Sequence, residues 1–479
     1  MTSRQRLVLV AAILASAVAA IDGSAVNVAL PAIARQLGGG LAVQQWISNA
    51  YLLTLGSLIL LGGSLGDIFG TRRVFALGVG GFGVCSLLCA LAPSTGVLIA
   101  ARALQGVAGA VLTPSSLAVI IAAFRPEQRG KAIGSWAAWG GIGMVVGPLL
   151  GGLLVDTVSW RWIFLINVPL VAVTLTLIRA AVPKAGRTAN RRLDVPGAAL
   201  CALSLAGIVF ALIEQPHLGW GDPLTIATLA GGLALFAVFV AYERRAAEPM
   251  VDMSLWAERN FSVGNLETAT MYAALGGLFF LLAIFLQQVC GYNALEAGLS
   301  TLPVTVIMFF LSPRVGALVG RFGPRRFMGA GPLVAGAGAL LLLRTGMHTS
   351  YVGVLLPALV LFAIGLAMTV APLTTAVLAG AGETNAGIAS AINNAVARVA
   401  SMVAVSVFGL IAAGSLPGDT FARTPGSVSG FHNAVLICVG LFVAGGLAAA
   451  AGITSPGRPE RAPRRPRVRR EARDQADKR

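Results

Sequence analysis

Charged residues and metal-binding residues are scarce in this chain. Only 11% of its 479 residues are Asp, Glu, Lys or Arg, less than half of the roughly 25% found in soluble domains. The three histidines lie far apart and the five cysteines form no C-x-x-C pair, so neither a metal site nor a disulfide framework is indicated. A G-x-x-x-x-G-K-[ST] motif is also lacking, which argues against a P-loop ATPase in this chain. These absences disfavour a soluble enzyme, a disulfide-rich secreted protein and a disordered chain.

Small and aliphatic residues make up most of the sequence instead. Hydrophobic residues account for 56% of the chain, aromatic residues for only 7%, and glycine occurs 59 times. Such residues let helices pack closely in lipid, and a membrane-spanning helix needs about 20 of them in a row. The sequence therefore predicts an all-α integral membrane protein with fourteen spans. They lie near 7–30, 46–66, 74–92, 97–122, 132–155, 161–182, 197–213, 224–242, 262–288, 297–319, 327–343, 352–378, 387–413 and 431–451.

The distribution of Lys and Arg predicts the orientation of these spans. Of the 35 basic residues, 29 fall on the side that holds both termini and four on the other, while Arg102 and Arg398 lie inside spans. Basic residues accumulate in cytoplasmic loops, so both termini are expected in the cytoplasm. The tail, 456–479, carries ten of them. It is predicted to be disordered and to contact anionic lipid headgroups rather than nucleic acid.

An internal repeat indicates two related halves. "GSLGDIFGTRRV" begins at Gly63 and "GALVGRFGPRRF" begins at Gly316, a constant offset of 253 residues. Parallel repeats of this kind occur in transporters whose halves are related by an axis along the membrane normal. The predicted organisation is an N-terminal six-helix bundle (1–185), two linker helices (186–250), a C-terminal six-helix bundle (251–455) and the tail.

The repeated loop is predicted to act as a cytoplasmic gate. Asp67 can bond helix amides or pair with the arginines that follow it, and such contacts can break when the protein changes conformation. Gly320 stands where the second copy would need an acid, so a latch of this kind would rest on the N-terminal half. The candidate gate residues are Gly63, Asp67, Gly70, Arg72, Arg73, Arg325 and Arg326.

Two ionisable residues lie inside N-terminal spans. Asp22 belongs to "IDGSAVNVALP", together with Asn27, and Arg102 belongs to "RALQGVAGA". Burial in a low-dielectric medium disfavours a charged carboxyl, so Asp22 is a candidate proton carrier unless it lies in water near the outer end of its span. Arg102 is expected to face a cavity or a neighbouring helix, with snorkelling to the outer headgroups as the alternative. Their similar depth permits a charge link between the two helices.

The second half contributes further polar candidates. Glu267 is expected either to face the cavity or to lie near the cytoplasmic end of its span. Asn394 and Arg398 lie mid-span in "GIASAINNAVARVASMVAV", where an arginine without a function is uncommon. Glu214 is expected in an outer loop.

The fifth span carries a row of glycines in "GMVVGPLLGG". Gly143, Gly147 and Gly151 recur every four residues and form a groove into which a neighbouring helix can pack. Pro148 removes a backbone hydrogen bond and permits a bend. Gly152 follows at the end of the same stretch.

Together these stretches resemble the major facilitator superfamily, specifically its fourteen-span drug:proton antiporters. "IDGSAVNVALP" is similar to the first-span motif of that family, "GSLGDIFGTRR" to the loop motif, "RALQGVAGA" to the fourth-span arginine motif and "GPLLGG" to the antiporter motif. "WRWIFLINVP" and "GIASAINNAVARV" are similar to its sixth and thirteenth spans.

The resemblance implies two six-helix bundles around a central cavity that opens alternately to each side. The implied activity is export of hydrophobic or amphipathic small molecules, drugs or antibiotics among them. Inward proton movement would drive it, with no cofactor. A bacterial cytoplasmic membrane location and function as a monomer are also implied.

Three alternatives stay open. One is uptake by proton symport and another is export of a single metabolite. The third, more distant, is a transporter-like sensor or a membrane-embedded enzyme, for which the sequence shows no catalytic triad, metal cluster or soluble domain.

Overall fold

A computed structural model describes residues 1–183, 193–416 and 421–454 of the protein. The predicted basic tail and part of the predicted linker therefore lie outside the described residues. Within the described ranges all regular structure is helical, as the composition predicts.

Fifteen α-helices run through the described residues. They are α1 (Ser3–Leu37), α2 (Leu41–Phe69), α3 (Thr71–Ala90), α4 (Thr95–Ala123), α5 (Pro126–Thr157), α6 (Trp162–Leu165), α7 (Asn167–Ala181), α8 (Val195–Leu218), α9 (Pro223–Glu243), α10 (Arg259–Gln288), α11 (Ala294–Ser300), α12 (Leu302–Phe322), α13 (Pro324–Leu341), α14 (Leu356–Ala413) and α15 (Pro425–Gly452). Short 3₁₀ segments span Met253–Ala257 and Leu342–Arg344, and a π-helical turn spans Tyr351–Leu355.

Thirteen helical segments in the described residues are long and apolar enough to cross a membrane. A shorter apolar stretch, Val146–Thr157, belongs to the glycine-rich helix α5, which coincides with the predicted fifth span. The count of fourteen membrane crossings accordingly stays a prediction.

Helix α14 folds back on itself and supplies two of these segments, Tyr351–Ala381 and Gly387–Ala413. The ring of Phe362 lies 5.9 Å from that of Phe279 in α10, and Phe408 packs against Gly277, about half a turn away on the same helix. A straight helix between Phe362 and Phe408 would be about 70 Å long. The chain therefore reverses direction between these residues, and both halves of α14 pack along α10.

The helices form two groups joined by a hairpin. Helices α1–α7 pack mainly on one another, as do α10–α15, and α8 pairs with α9. We call these the N-terminal group, the C-terminal group and the linker hairpin. Helix α8 also packs on α2 and α14, so the hairpin contacts both groups.

Glu214 corrects one prediction, because it lies within α8 rather than in an outer loop. The indole Nε1 of Trp46, in α2, donates a hydrogen bond of 2.7 Å to its carboxylate. The hydrogen bond from Trp46 gives the acidic side chain a partner within the helix bundle. The predicted span ended at residue 213 because hydropathy alone does not show such a partner.

The repeated loop forms the same structure in both groups. Gly70 (φ 90°) and Gly323 (φ 78°) join α2 to α3 and α12 to α13 with a backbone conformation that favours glycine. Arg72 then donates to the carbonyl of Arg179 at 2.9 Å. In the second copy, Arg325 donates to the carbonyl of Ala450 at 2.6 Å. Each copy thus contacts the last turn of the final helix in its group, where a cation is favourable.

Hydrogen bonds between the two groups lie on one side of the molecule. We call the helix ends near the N-terminus and the arginine-rich loops the basic side, and the other ends the opposite side. Gln45 donates to the carbonyl of Val405 (2.8 Å), Asn49 to the hydroxyl of Ser406 (2.8 Å) and Gln287 to the carbonyl of Val28 (2.9 Å); Asp156 accepts from the amides of Ala294 (3.2 Å) and Leu295 (2.8 Å). All these residues lie in the opposite half. Among the described residues, no hydrogen bond joins the groups at the basic side.

Candidate functional site

A buried carboxylate in α1 is the centre of the N-terminal group's polar core. Asp22 is only 1% exposed. Its Oδ2 accepts a hydrogen bond from Arg102 Nη1 at 2.5 Å, forming an ion pair. Its Oδ1 accepts from Gln105 Nε2 at 3.0 Å and from Asn167 Nδ2 at 3.2 Å. The side chain thus lies among helices rather than in water at the end of its span.

Arg102 reaches Asp22 from α4 and is equally enclosed, with 2% exposure. Its Nη1 also donates to Gln105 Oε1 at 2.7 Å, and its Nε donates to the carbonyl of Ile47 at 3.3 Å. The guanidinium lies 4.4 Å from the centre of the Tyr51 ring, within cation–π range. Arg102 therefore bridges helices and does not extend to headgroups.

Ser86 in α3 closes the network. Its hydroxyl accepts from Gln105 Nε2 at 2.9 Å and from Asn167 Nδ2 at 3.2 Å. Ser86, Gln105 and Asn167 are all fully buried, so α1, α3, α4 and α7 meet at one polar cluster in an apolar interior.

The sequence prediction did not single out these three residues. Gln105 and Asn167 do lie within two of the motif stretches, "RALQGVAGA" and "WRWIFLINVP". A neutral amide inside a span is a weaker indication of a functional site than a charged residue, because burying it costs less free energy. Their position inside those motifs was the available signal.

The donors around Asp22 define its charge. Both carboxylate oxygens accept hydrogen bonds from groups that can only donate, the guanidinium of Arg102 and two amide nitrogens. An ionised carboxylate is an acceptor only, whereas a protonated one must also donate. The arrangement is therefore that of a charged Asp22 beside a charged Arg102. It is the one ion pair in which both partners belong to the described part of the chain.

The glycine groove of α5 holds the part of α1 that carries Asp22. A Cβ added at Gly143 would lie 3.1 Å from the Ala20 Cβ, and one added at Gly151 would lie 2.9 Å from the Ala25 Cβ. At Gly147 an added Cβ would overlap Ser24 Oγ.

The end of the same glycine stretch faces the C-terminal group. Gly152 meets the backbone of Ala294 and Leu295, and the Pro148 carbonyl lies close to Gly298 in α11. Helix α5 thus packs on α1, which carries Asp22, and also on the C-terminal group.

Glu267 is the buried acid of the C-terminal group. It is 0% exposed and lies in the first third of α10. Neither carboxyl oxygen has a hydrogen-bond partner among the described residues, and its Cγ lies beside Gly445 of α15. The side chain is enclosed by helices and faces neither an open cavity nor the surface.

The remaining polar candidates lie at different places. Asn27 is half-buried and makes no hydrogen bond among the described residues. Asn394 is exposed, and its amide donates to the carbonyl of Ser390 at 2.9 Å. Arg398 is half-buried in the second half of α14, where its Cβ and Val399 pack against Gly56 of α2. The structure does not bring these residues to Asp22.

The predicted gate residues lie on the basic side of the molecule. Gly63, Arg73, Arg325 and Arg326 are exposed. The Asp67 side chain is outside the described residues, so its expected contacts with arginine stay a prediction.

Comparison with known proteins identifies related chains along most of the sequence. The model of the Major Facilitator Superfamily matches residues 12–405. The puromycin resistance protein of Streptomyces alboniger is 35% identical over 447 residues, which cover 91% of this chain and 88% of that protein. The multidrug resistance protein Stp of Mycobacterium tuberculosis is 36% identical over 414 residues, which cover 86% of this chain and 77% of that protein.

A solved structure has the same fold. A bacterial homologue of the human lysosomal transporter Spinster, in an inward-facing and unoccupied conformation, aligns with a TM-score of 0.66 at 17% identity. The alignment covers 94% of this chain and 98% of that one. At this identity the likeness establishes the fold alone.

Proposed function

The chain belongs to the Major Facilitator Superfamily and is a membrane transporter, not an enzyme, and on that premise we propose that it exports amphipathic drugs or antibiotics in exchange for protons. Its relatives support the cargo class. They include proteins named for resistance to puromycin, for multidrug resistance and for resistance to and export of tetracenomycin C.

The observation that carries the proton-coupling part of the proposal is the buried Asp22–Arg102 ion pair. Removing two charges from water is costly, and only good geometry and further hydrogen bonds offset that cost. An ionisable pair kept inside a membrane helix bundle is therefore a functional feature by default. Protonation of Asp22 would remove its charge and leave Arg102 to find another partner, which gives the pair two states.

The position of the inter-group contacts supports an order of events. The groups are joined at the opposite side, so this conformation is the one that opens to the basic side, which we assign to the cytoplasm. Here Asp22 has the geometry of an ionised carboxylate, as expected after proton release and before cargo binding. Binding of cargo and opening to the outside would expose the pair to a new proton. Return of the protonated form would then deliver that proton to the cytoplasm.

The membrane supplies the energy. Each proton that moves inward releases about 2.3 kcal/mol per 100 mV of membrane potential, in addition to any pH gradient. The proposal needs no cofactor, and each chain holds a complete pathway, so a monomer suffices.

The proposed topology follows the charge distribution. Both termini lie in the cytoplasm and the protein resides in a bacterial cytoplasmic membrane, with the 29 basic residues of the basic side on the inner face. The N-terminal group corresponds to residues 1–185, the linker hairpin to 186–250 and the C-terminal group to 251–455.

Everted membrane vesicles with an imposed pH gradient test the function. Vesicles containing the wild-type protein should accumulate a fluorescent amphipathic dye and should lose part of the pH gradient when the dye is added. Asp22→Asn should abolish both effects, because the amide cannot carry a proton. Asp222→Asn is the matched control, since Asp222 only caps the start of α9 in a loop, and it should behave as wild type.

Two outcomes would contradict the proposal. Undiminished proton-driven accumulation by the Asp22→Asn variant would remove Asp22 from the coupling role. Dye movement out of the everted vesicles, in the direction of the protons, would indicate symport instead of antiport.

A further inference from the structure

Arg398 lies at the boundary between the two groups, near the middle of the second membrane-spanning segment of α14, Gly387–Ala413. It packs against Gly56, near the middle of α2. About one turn further along α14, the hydroxyl of Ser401 donates a hydrogen bond of 2.9 Å to the carbonyl of Tyr272 in α10. The residue therefore borders both groups, about two turns nearer the basic side than Val405 and Ser406, which form hydrogen bonds with α2.

In the part of the chain that the structure describes, no carboxylate forms an ion pair with this guanidinium. Among the described residues, Arg398 makes neither an ion pair nor a hydrogen bond, although it is half-buried. Asp22 is engaged by Arg102 and is enclosed. Glu267 is enclosed inside the C-terminal group. Among the described residues, the unpaired charge at the boundary between the groups at this depth is thus positive.

A lone arginine at this depth is costly unless something contacts it. Its planar donors suit a carboxylate, a phenolate or a pair of carbonyl oxygens. The half-buried Tyr272, whose carbonyl accepts the hydrogen bond from Ser401, provides an aromatic residue near this turn of α14. This combination fits a flat, oxygen-rich aromatic molecule better than a cationic one, which the arginine would repel.

We propose that Arg398 selects the charge of the cargo: the site between the groups binds anionic or acceptor-rich aromatic molecules and discriminates against organic cations. The inference rests on the proposed function in taking this space as the cargo site. It adds the chemical class of the cargo and the residue that sets it.

Two xanthene dyes of opposite charge test this directly. Fluorescein is anionic and rhodamine 123 is cationic, and both share one ring frame. Binding of each to the purified full-length protein in lipid nanodiscs is measured by fluorescence anisotropy, with empty nanodiscs subtracted. The wild-type protein should bind fluorescein at least tenfold more tightly than rhodamine 123.

Substitutions at Arg398 make the test specific. Arg398→Gln should weaken fluorescein binding about tenfold, Arg398→Lys should retain most of it, and Arg398→Glu should reverse the preference toward rhodamine 123. Arg344→Gln is the matched control because Arg344 is an exposed arginine at the opposite side. It should leave both affinities unchanged, and the lysine variant shows that the fold survives substitution at position 398.

The inference is overturned if the wild-type protein prefers rhodamine 123, binds neither dye, or binds fluorescein unchanged after Arg398→Gln. Failure of the proposed function looks different. The protein would then bind fluorescein through Arg398 as expected, yet vesicles would show no proton-driven movement of that dye.

Discussion

Among the described residues, each of the two groups of helices buries one acid, and the surroundings of the two acids differ. In the N-terminal group, Asp22 accepts hydrogen bonds from Arg102, Gln105 and Asn167. In the C-terminal group, Glu267 has no partner for either oxygen in the described part of the chain, although it is just as inaccessible.

This difference separates a charged acid from a neutral one. A carboxylate buried without a counter-ion is too costly to stay ionised, whereas a protonated carboxyl loses far less on burial. Glu267 is accordingly expected to hold its proton in this conformation, while Asp22 is charged. A change of protonation at Asp22 must rearrange the hydrogen bonds that it accepts. A change of protonation at Glu267 would disturb no hydrogen bond among the described residues.

Removal of Arg102 should have the largest effect on stability, because it takes away the counter-ion that distinguishes Asp22 from Glu267. Arg102→Ala would leave Asp22 buried without its counter-ion, so its carboxyl must either stay charged at a high cost or take up a proton. The substitution should lower the free energy of unfolding by about 3–5 kcal/mol. Thermal unfolding in detergent, followed by intrinsic fluorescence, measures the loss. Arg344→Ala, at an exposed arginine, is the control, and the double variant Asp22→Asn with Arg102→Ala should recover part of the stability. A single variant as stable as the control would show that the pair contributes little.

Two glycines beside the acids allow a matched comparison of packing. A Cβ at Gly147 would overlap Ser24 Oγ and would lie 2.9 Å from the Ile21 carbonyl oxygen, a backbone atom that cannot rotate away. A Cβ at Gly445 would overlap only the hydroxyl of Thr270, which can.

Gly147→Ala should therefore cost about 1–3 kcal/mol of stability, in the range of overpacked cores, and should reduce proton-driven dye accumulation. Gly445→Ala should change both measurements much less. Equal effects of the two substitutions would mean that the N-terminal group is no less tolerant around its acid than the C-terminal group.

Glu267→Gln should have the smallest effect on stability and should sharpen the contrast by spectroscopy. Glutamine resembles a protonated glutamate in shape, so the melting temperature at neutral pH should stay close to that of the wild type. Infrared spectroscopy should detect the carbonyl stretch of a protonated carboxyl in the wild-type protein. This band should disappear in Glu267→Gln and persist in Asp22→Asn. Its persistence in Glu267→Gln would assign the proton to another acid.

The sequence predicted the all-helical membrane architecture, and it allowed a charge link between Asp22 and Arg102, which the structure contains. Both depend on large free-energy costs. An apolar segment of this length is costly to expose to water, and a charge inside it is costly to expose to lipid without a partner. The repeat at Gly63 and Gly316 likewise led to two loops with the same glycine conformation and the same arginine contact.

Features that depend on smaller energies, such as single hydrogen bonds between uncharged groups, were not predicted. Gln105 and Asn167 carry no charge, so only their position inside two motif stretches distinguished them from other polar residues in spans. Glu214 was placed in a loop because its partner, Trp46, is distant in sequence. The side on which the groups join depends on a few hydrogen bonds, such as that from Gln45 to Val405, and these are set by helix rotations that a single sequence does not define.

Helix α2 contacts both of the arginines that lie inside spans. The ring of Tyr51 lies 4.4 Å from the Arg102 guanidinium, and Gly56, further along the same helix, packs against the Cβ of Arg398. These two positions are only about 7.5 Å apart along the helix axis. A displacement of α2 therefore changes the surroundings of the ion pair and of Arg398 in the same movement.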